Sequence, residues 1–172
     1  MNLPYAIMAF VTIQRLTELA IDRRNTARLL AAGAREVGAG HYPAMVAMHA
    51  SWLAALWFTV GDRAVNLPLL AVFGVLQLLR VWVLATLGSR WTTRIIVTPA
   101  APLVKKGPFR FLRHPNYTVV TAEIAVLPLV FGVVWIAVLF TVLNAAMLYV
   151  RIGAENRALY GARDGAQDDV SA

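Results

Sequence analysis

The chain contains no cysteine. Disulfides, thiolate nucleophiles and cysteine-ligated metals are therefore excluded. Its three histidines, at 41, 49 and 114, are scattered and make no metal-binding pattern. Charge is sparse, at 15% of residues, and acids are outnumbered nine to sixteen by Lys and Arg. No strand pattern leads into G-x-G-x-x-G, and Gly33, Gly38 and Gly40 do not fit that spacing. The N-terminal apolar run lacks a positive leader and a small-residue cleavage site, so it reads as a retained span.

What the chain has is apolar length. Of its 172 residues, 59% are hydrophobic, and mean hydropathy is +0.64. Both exceed the usual values for a soluble domain of this size. The net charge of +7 would suit nucleic acid, but the basic residues lie between apolar spans. That placement points to membrane topology and an anionic lipid surface instead.

The expected architecture is an all-α integral membrane protein with five transmembrane helices. Spans are read at 2–21, 42–60 and 67–87. The region from 117 to 152 is too long for one crossing of a ~30 Å apolar core. Pro128 and Gly132 suggest a helical hairpin turning at 131–133, with the last span starting at Val134. Residues 26–34 read as a short interfacial helix ended by glycines. Basic residues fill the linkers at 22–41 and 88–116, and the hairpin tip has none. By the positive-inside rule, the N-terminus faces out and both basic linkers and the C-terminus face the cytosol. Residues 1–160 form one domain, and the polar tail 161–172 is expected to be disordered. Within the spans, Arg15 and Glu18 share a helical face and read as an interhelical tie. Arg80 either snorkels to the cytosolic edge or meets Glu123.

One stretch organises the rest: Leu103-Val104-Lys105-Lys106-Gly107-Pro108-Phe109-Arg110-Phe111-Leu112-Arg113-His114-Pro115-Asn116-Tyr117. Gly107-Pro108 reads as a turn. Pro115 suits the first turn of a new helix, whose free N–H groups would face the loop and attract electron-rich groups. By composition alone, a basic loop dictated by topology is the favoured reading. Far along the chain, Asn144, Leu148, Arg151 and Glu155 share one helical face where the last span meets the cytosol. Two readings stand: a surface ion pair worth ~0.3–0.5 kcal/mol, or one wall of a pocket closed by the 103–117 loop.

The pattern Leu103-Val104-x-x-Gly107-x-Phe109-x-x-x-Arg113-His114-Pro115-x-Tyr117, followed by Arg151-x-x-x-Glu155, resembles the isoprenylcysteine carboxyl methyltransferase family of membrane enzymes. The segments Arg15-Leu16-Thr17-Glu18-Leu19, His41-Tyr42-Pro43 and Trp91-Thr92-Thr93 resemble a bacterial branch. That branch is associated with type III polyketide synthases and O-methylates alkylpyrones or alkylresorcinols. The resemblance implies S-adenosylmethionine as methyl donor, in a cytosolic pocket between the loop before helix four and the end of helix five. It implies cofactor contacts from Leu103, Val104, Phe109, His114, Pro115, Asn116, Tyr117 and Glu155, and an acceptor-orienting, catalytic role for Arg151. The implied acceptor is a lipophilic molecule partitioned into the membrane, with no metal involved. His114, Tyr117 and Glu123 are candidate bases for an acceptor that must lose a proton. Ala101-Pro102 and Asn156 depart from the family pattern, which bears on the acceptor more than on the cofactor. A phospholipid N-methyltransferase is an alternative, but Arg151 would repel its ammonium acceptor. A membrane scaffold or transporter is another, without internal repeats or a series of intramembrane acids to support transport.

Overall fold

The computed structural model describes the backbone of residues 2–98 and 104–168, with side chains through Glu155 and at Arg157. Five long helices make up most of it: α1 (Leu3–Ala31), α2 (Tyr42–Thr59), α3 (Leu67–Leu87), α4 (Pro115–Val130) and α5 (Val134–Asp168). Proline punctuates their starts. Pro4, Pro43, Pro68 and Pro115 each sit in a first turn, where the missing N–H leaves no broken bond. Asn66 caps α3, its side chain accepting from the Leu69 N–H at 3.1 Å. The α4–α5 turn falls at the expected residues, with Gly132 at φ +67°, a conformation glycine adopts without a Cβ clash.

Two features differ from expectation. First, α1 is one helix to Ala31, not a span followed by a separate interfacial helix. Residues 22–31 contain neither Pro nor Gly, so nothing stops helix propagation before Gly33. Second, the fold is not purely helical. β1 (Arg35–Val37) and β2 (Ile95–Val97) pair antiparallel, with Glu36 opposite Ile96. This two-stranded ribbon ties together the two basic linkers, a pairing that the sequence reading does not anticipate. The helix α5 continues through the polar segment to Asp168. Residues 99–103, and with them Leu103, Pro99 and Pro102, lie outside the described residues.

α4 packs between α3 and α5, and α2 packs on α5. The helices stack three kinds of contact along their length. At the hairpin end, Met8, Leu56, Val60, Phe73, Leu127, Val130 and Phe131 form a closed apolar core. Trp57 Nε1 donates to Thr12 Oγ1 there at 3.0 Å, joining α2 to α1. In the middle lies a buried ionic knot. Arg80 Nη1 and Arg15 Nη2 each reach Glu123 Oε2 at 2.7 Å. Arg15 Nη1 meets Glu18 Oε2 at 3.0 Å, Arg80 Nη2 reaches the same oxygen at 2.5 Å, and Arg80 Nε pairs with Glu18 Oε1. Gln77 donates to Glu123 Oε1 at 2.8 Å, and Gln14 to Glu18 Oε1 at 3.1 Å. The expected Arg15–Glu18 tie thus exists, and Arg80 turns inward to Glu123 instead of snorkelling. At the third level, the cavities described below open.

The outer faces are apolar. Phe58 is 91% exposed and Leu78 71%. Val75, Val81, Val138 and Val142 also point away from the bundle. Large exposed apolar faces of this kind mark a protein or membrane contact. Two stretches, Leu67–Arg90 and Val134–Glu155, are long and apolar enough to cross a membrane. The mostly helical fold, its apolar outer faces and these two helices are consistent with an all-α membrane protein.

Two positive and two negative charges share the knot, so deleting one acid leaves an uncompensated positive charge away from water. Glu123→Ala should destabilise the protein by about 3–5 kcal/mol, read as a large drop in thermal midpoint in detergent. Arg80→Met combined with Glu123→Met should recover much of that loss.

Candidate functional site

Two cavities lie side by side above the knot and share Asn116, Tyr117 and Arg151 in their walls. The inner one, about 280 Å³, is mostly apolar. Tyr42, Met45, Val46, His49 and Leu53 reach it from one face of α2, at the three- and four-residue spacing of a helix. Asn144 and Leu148 face it from α5, and the ionic knot forms part of its wall. The outer one, about 420 Å³, is lined by the ribbon, by the 104–117 loop and by the end of α5.

The 104–117 loop is held by local sequence. Gly107 takes φ +58° and opens a single turn of 3₁₀ helix, Gly107–Arg110. A Cβ at Gly107 would lie 2.5 Å from Thr86 Oγ1, so the bare backbone lets the loop press on the end of α3. The chain then enters α4 with His114 as its N-cap residue and Pro115 in the first turn. His114 makes no side-chain cap bond, so its ring is released to the cavity. It stacks on Tyr117, centroids 5.3 Å apart.

The two halves proposed from sequence do meet. Tyr117 Oη donates to Glu155 Oε2 at 2.7 Å and accepts from Arg151 Nε at 3.0 Å. His114 Nδ1 lies 3.9 Å from Glu155 Oε2. Arg151 and Glu155 do not form the direct pair that their four-residue spacing suggested; the Tyr117 hydroxyl stands between them. Arg151 is 5% exposed. Its Nη1 donates to Met45 Sδ at 2.8 Å and its Nη2 to the Thr93 carbonyl. A buried guanidinium with partners from α2, α4 and the β2 approach is a fixed charge at the boundary of the two cavities.

Of the other sequence candidates, Val104, Phe109, His114, Pro115, Asn116, Tyr117 and Glu155 all line the outer cavity. Glu123 lies in the knot and inner wall, away from it. Sequence reasoning overlooked the supports. Asp22 Oδ1 accepts from the Thr93 N–H at 2.6 Å. Asn25 Nδ2 donates to the Trp91 carbonyl at 2.8 Å and to that of Gly88 at 3.2 Å. Asp22, Asn25 and Thr26 are buried on one face of α1, and their i, i+3, i+4 spacing was the available signal. At the rim, Arg94 Nη1 pairs with Glu36 Oε1 at 2.7 Å and its guanidinium lies 4.1 Å over the Tyr42 ring. Burial works against the Arg94 charge, but the Glu36 carboxylate prevails and raises its pKa. Burial, then the nearby Arg151 cation, hold His41 below the ordinary histidine value.

A helical membrane protein with a charged, two-chambered pocket is the class that fold and site define. The sequence model of the isoprenylcysteine carboxyl methyltransferase family matches residues 69–161, spanning α3, the loop, α4 and the wall of α5. A Bacillus subtilis (strain 168) protein described as "Uncharacterized protein YpbQ" is 38% identical over 160 residues, covering 90% of this chain and 95% of that one. No solved structure matches the chain. The chain belongs to the isoprenylcysteine carboxyl methyltransferase family, whose name implies a membrane-associated methyltransferase.

Asp22 fixes the strand approach that holds Arg151. A hydrogen bond to a charged acceptor contributes about 1.5–3 kcal/mol. Asp22→Ala should therefore speed amide exchange at Thr93 by about 10- to 100-fold, measured by hydrogen–deuterium exchange, with the apolar core at the hairpin end unaffected.

Proposed function

We propose that this protein is an S-adenosylmethionine-dependent O-methyltransferase acting on a lipophilic acceptor, with the outer cavity holding the donor and the inner cavity the acceptor's reactive head. The observation that carries this is the shared wall: Tyr117, Asn116 and Arg151 border both chambers, so two bound molecules can meet there.

The residues present fit the donor. The outer cavity falls within the ~300–1,000 Å³ range of small-molecule sites. Glu155 Oε2 takes the Tyr117 hydroxyl, while its Oε1 has no partner among the described residues, leaving lone pairs for an ammonium or ribose hydroxyls. Val104, Phe109 and Ile95 supply an apolar surface for a purine. The first-turn N–H groups of α4, with Arg113 beside them, suit a carboxylate. Bound there, S-adenosylmethionine supplies an electrophilic methyl group. The protein's own work is alignment and exclusion of water. Tyr117 keeps Glu155 turned into the outer cavity. Arg151 keeps a positive charge at the boundary, where it attracts and orients an anionic oxygen and repels an ammonium acceptor. That repulsion disfavours phospholipid N-methylation.

The apolar inner cavity and the lipid-compatible outer faces suit an acceptor with a long tail. Both an alkylpyrone- or alkylresorcinol-type polyketide, tied to a type III polyketide synthase, and a prenylcysteine-like carboxylate meet that description. Five membrane crossings, with the basic linkers and C-terminus in the cytosol of a bacterial cell, would bring the donor from the cytosol and the acceptor from the bilayer.

Labelled S-adenosylmethionine should crosslink to detergent-purified protein within 104–117. Glu155→Gln should weaken donor binding by about 10- to 100-fold by calorimetry, the scale of one lost charged hydrogen bond. Arg151→Ala should retain donor binding within a few-fold and lose acceptor turnover by about 100-fold or more. Unchanged donor affinity in Glu155→Gln, together with no crosslink, would overturn the assignment.

A further inference from the structure

His49 sits on α2 in the wall of the inner cavity, and the methyl-transfer reading has not used it. Its Nδ1 lies 2.9 Å from the Met45 carbonyl oxygen. A carbonyl can only accept, so Nδ1 carries the proton and Nε2 is left with a bare lone pair. No group among the described residues bonds to that Nε2.

The other titratable groups facing this cavity are all engaged. From α1 and α4, Glu18 and Glu123 accept from Arg15 and Arg80 and from Gln14 and Gln77. Tyr117 gives its proton to Glu155 and accepts from Arg151. Tyr42 shares its hydroxyl with Thr93 at 3.2 Å. Among the described residues lining the cavity, His49 alone presents an unused proton acceptor. It is also near the boundary. Met45 receives the His49 N–H on its carbonyl and the Arg151 N–H on its sulfur, so both side chains converge on one residue.

We propose that His49 is the general base of the reaction and that the acceptor's nucleophile is a neutral phenolic hydroxyl, and not a carboxylate or an enol already ionised at neutral pH. This rests on the methyl-transfer reading above and goes further by choosing the acceptor's chemistry. An ionised carboxylate needs no base; a phenol, with a pKa near ~10, does. The hydroxyl proton passes to His49 Nε2. The freed oxygen pair forms the O–CH₃ bond, and the S–CH₃ bond of S-adenosylmethionine breaks with its pair remaining on sulfur. The imidazolium returns its proton to water as the ether leaves. Arg151 steadies the oxygen while it carries charge.

The test compares a long-chain alkylresorcinol, a weak acid, with a 4-hydroxy-2-pyrone of the same tail that is already ionised at neutral pH. In His49→Gln, kcat on the resorcinol should fall about 100-fold or more, the scale of a lost general base, while the pyrone should lose less than about threefold. The variant's rate on the resorcinol should then climb about tenfold per pH unit toward the phenol's own ionisation, a rise absent from the wild type. Donor affinity by calorimetry should not change. In His49→Ala, added imidazole should restore resorcinol turnover, which covers the case where the glutamine variant does not fold. Independently, ¹⁵N NMR of the wild type should show His49 as the Nδ1-protonated tautomer at neutral pH. An Nε2-protonated ring, or equal losses on both acceptors, would overturn the proposal. If the tautomer is as expected but the wild type methylates neither acceptor, the O-methylation reading fails and this proposal falls with it.

Discussion

A cluster of opposite charges at the junction of α1, α3 and α4 is the constraint on which the bundle depends. Two guanidinium groups and two carboxylates are held together away from water, with two amide side chains completing their bonds. In an apolar bundle, dispersion gives little preference for one helix rotation over another. Ionic partners do, because any rotation that separates them leaves a charge without solvent or counterion. The pairing of residue 15 with 123, and of 80 with 18, therefore sets the register of three helices at once. Everything nearer the loop end inherits that register, including the α2 and α5 faces that line the inner cavity.

From this fixed middle, the two ends of the bundle diverge in character. The hairpin end closes into a dry core around Leu127, Val130 and Phe131. The loop end is propped open by polar anchors from α1, where Asp22 and Asn25 hold the segment 88–93 by its backbone groups. Backbone anchoring explains why this wall can be irregular without being loose: the Gly88 and Trp91 carbonyls and the Thr93 N–H are satisfied by buried side chains. The short ribbon β1–β2 serves the same end, since it joins two linkers that would otherwise leave the outer cavity without a side.

The tyrosine hydroxyl between Arg151 and Glu155 shows how such a site divides its labour. A direct contact would have neutralised the pair and buried both groups in each other. With one hydroxyl accepting from the cation and donating to the carboxylate, both groups are held in place without neutralising each other directly. The stack of His114 on Tyr117 then depends on the N-cap position of His114, because a capping bond would have turned that ring toward the helix backbone.

Much of this was legible from residue order. Apolar spans marked α2 and α3, and proline and glycine placement marked the start of α4 and the α4–α5 turn, since both residues restrict the backbone locally. Apolar run length against bilayer thickness marked the membrane class, and the motif around His114 with its distant Arg-x-x-x-Glu partner marked the family. The continuity of α1, the ribbon, the inward turn of Arg80 and the Asp22 and Asn25 anchors were not legible. The ribbon, the turn of Arg80 and the two anchors depend on partners between 43 and 71 residues away, and a local pattern carries no information on which distant group a side chain will meet. Sequence fixed where helices begin and which faces are apolar because those follow from steric and solvation rules acting within a few residues. Only the tertiary structure decided which charges pair, what separates Arg151 from Glu155 and which nitrogen of His49 is bare, because those outcomes come from packing the helices against one another.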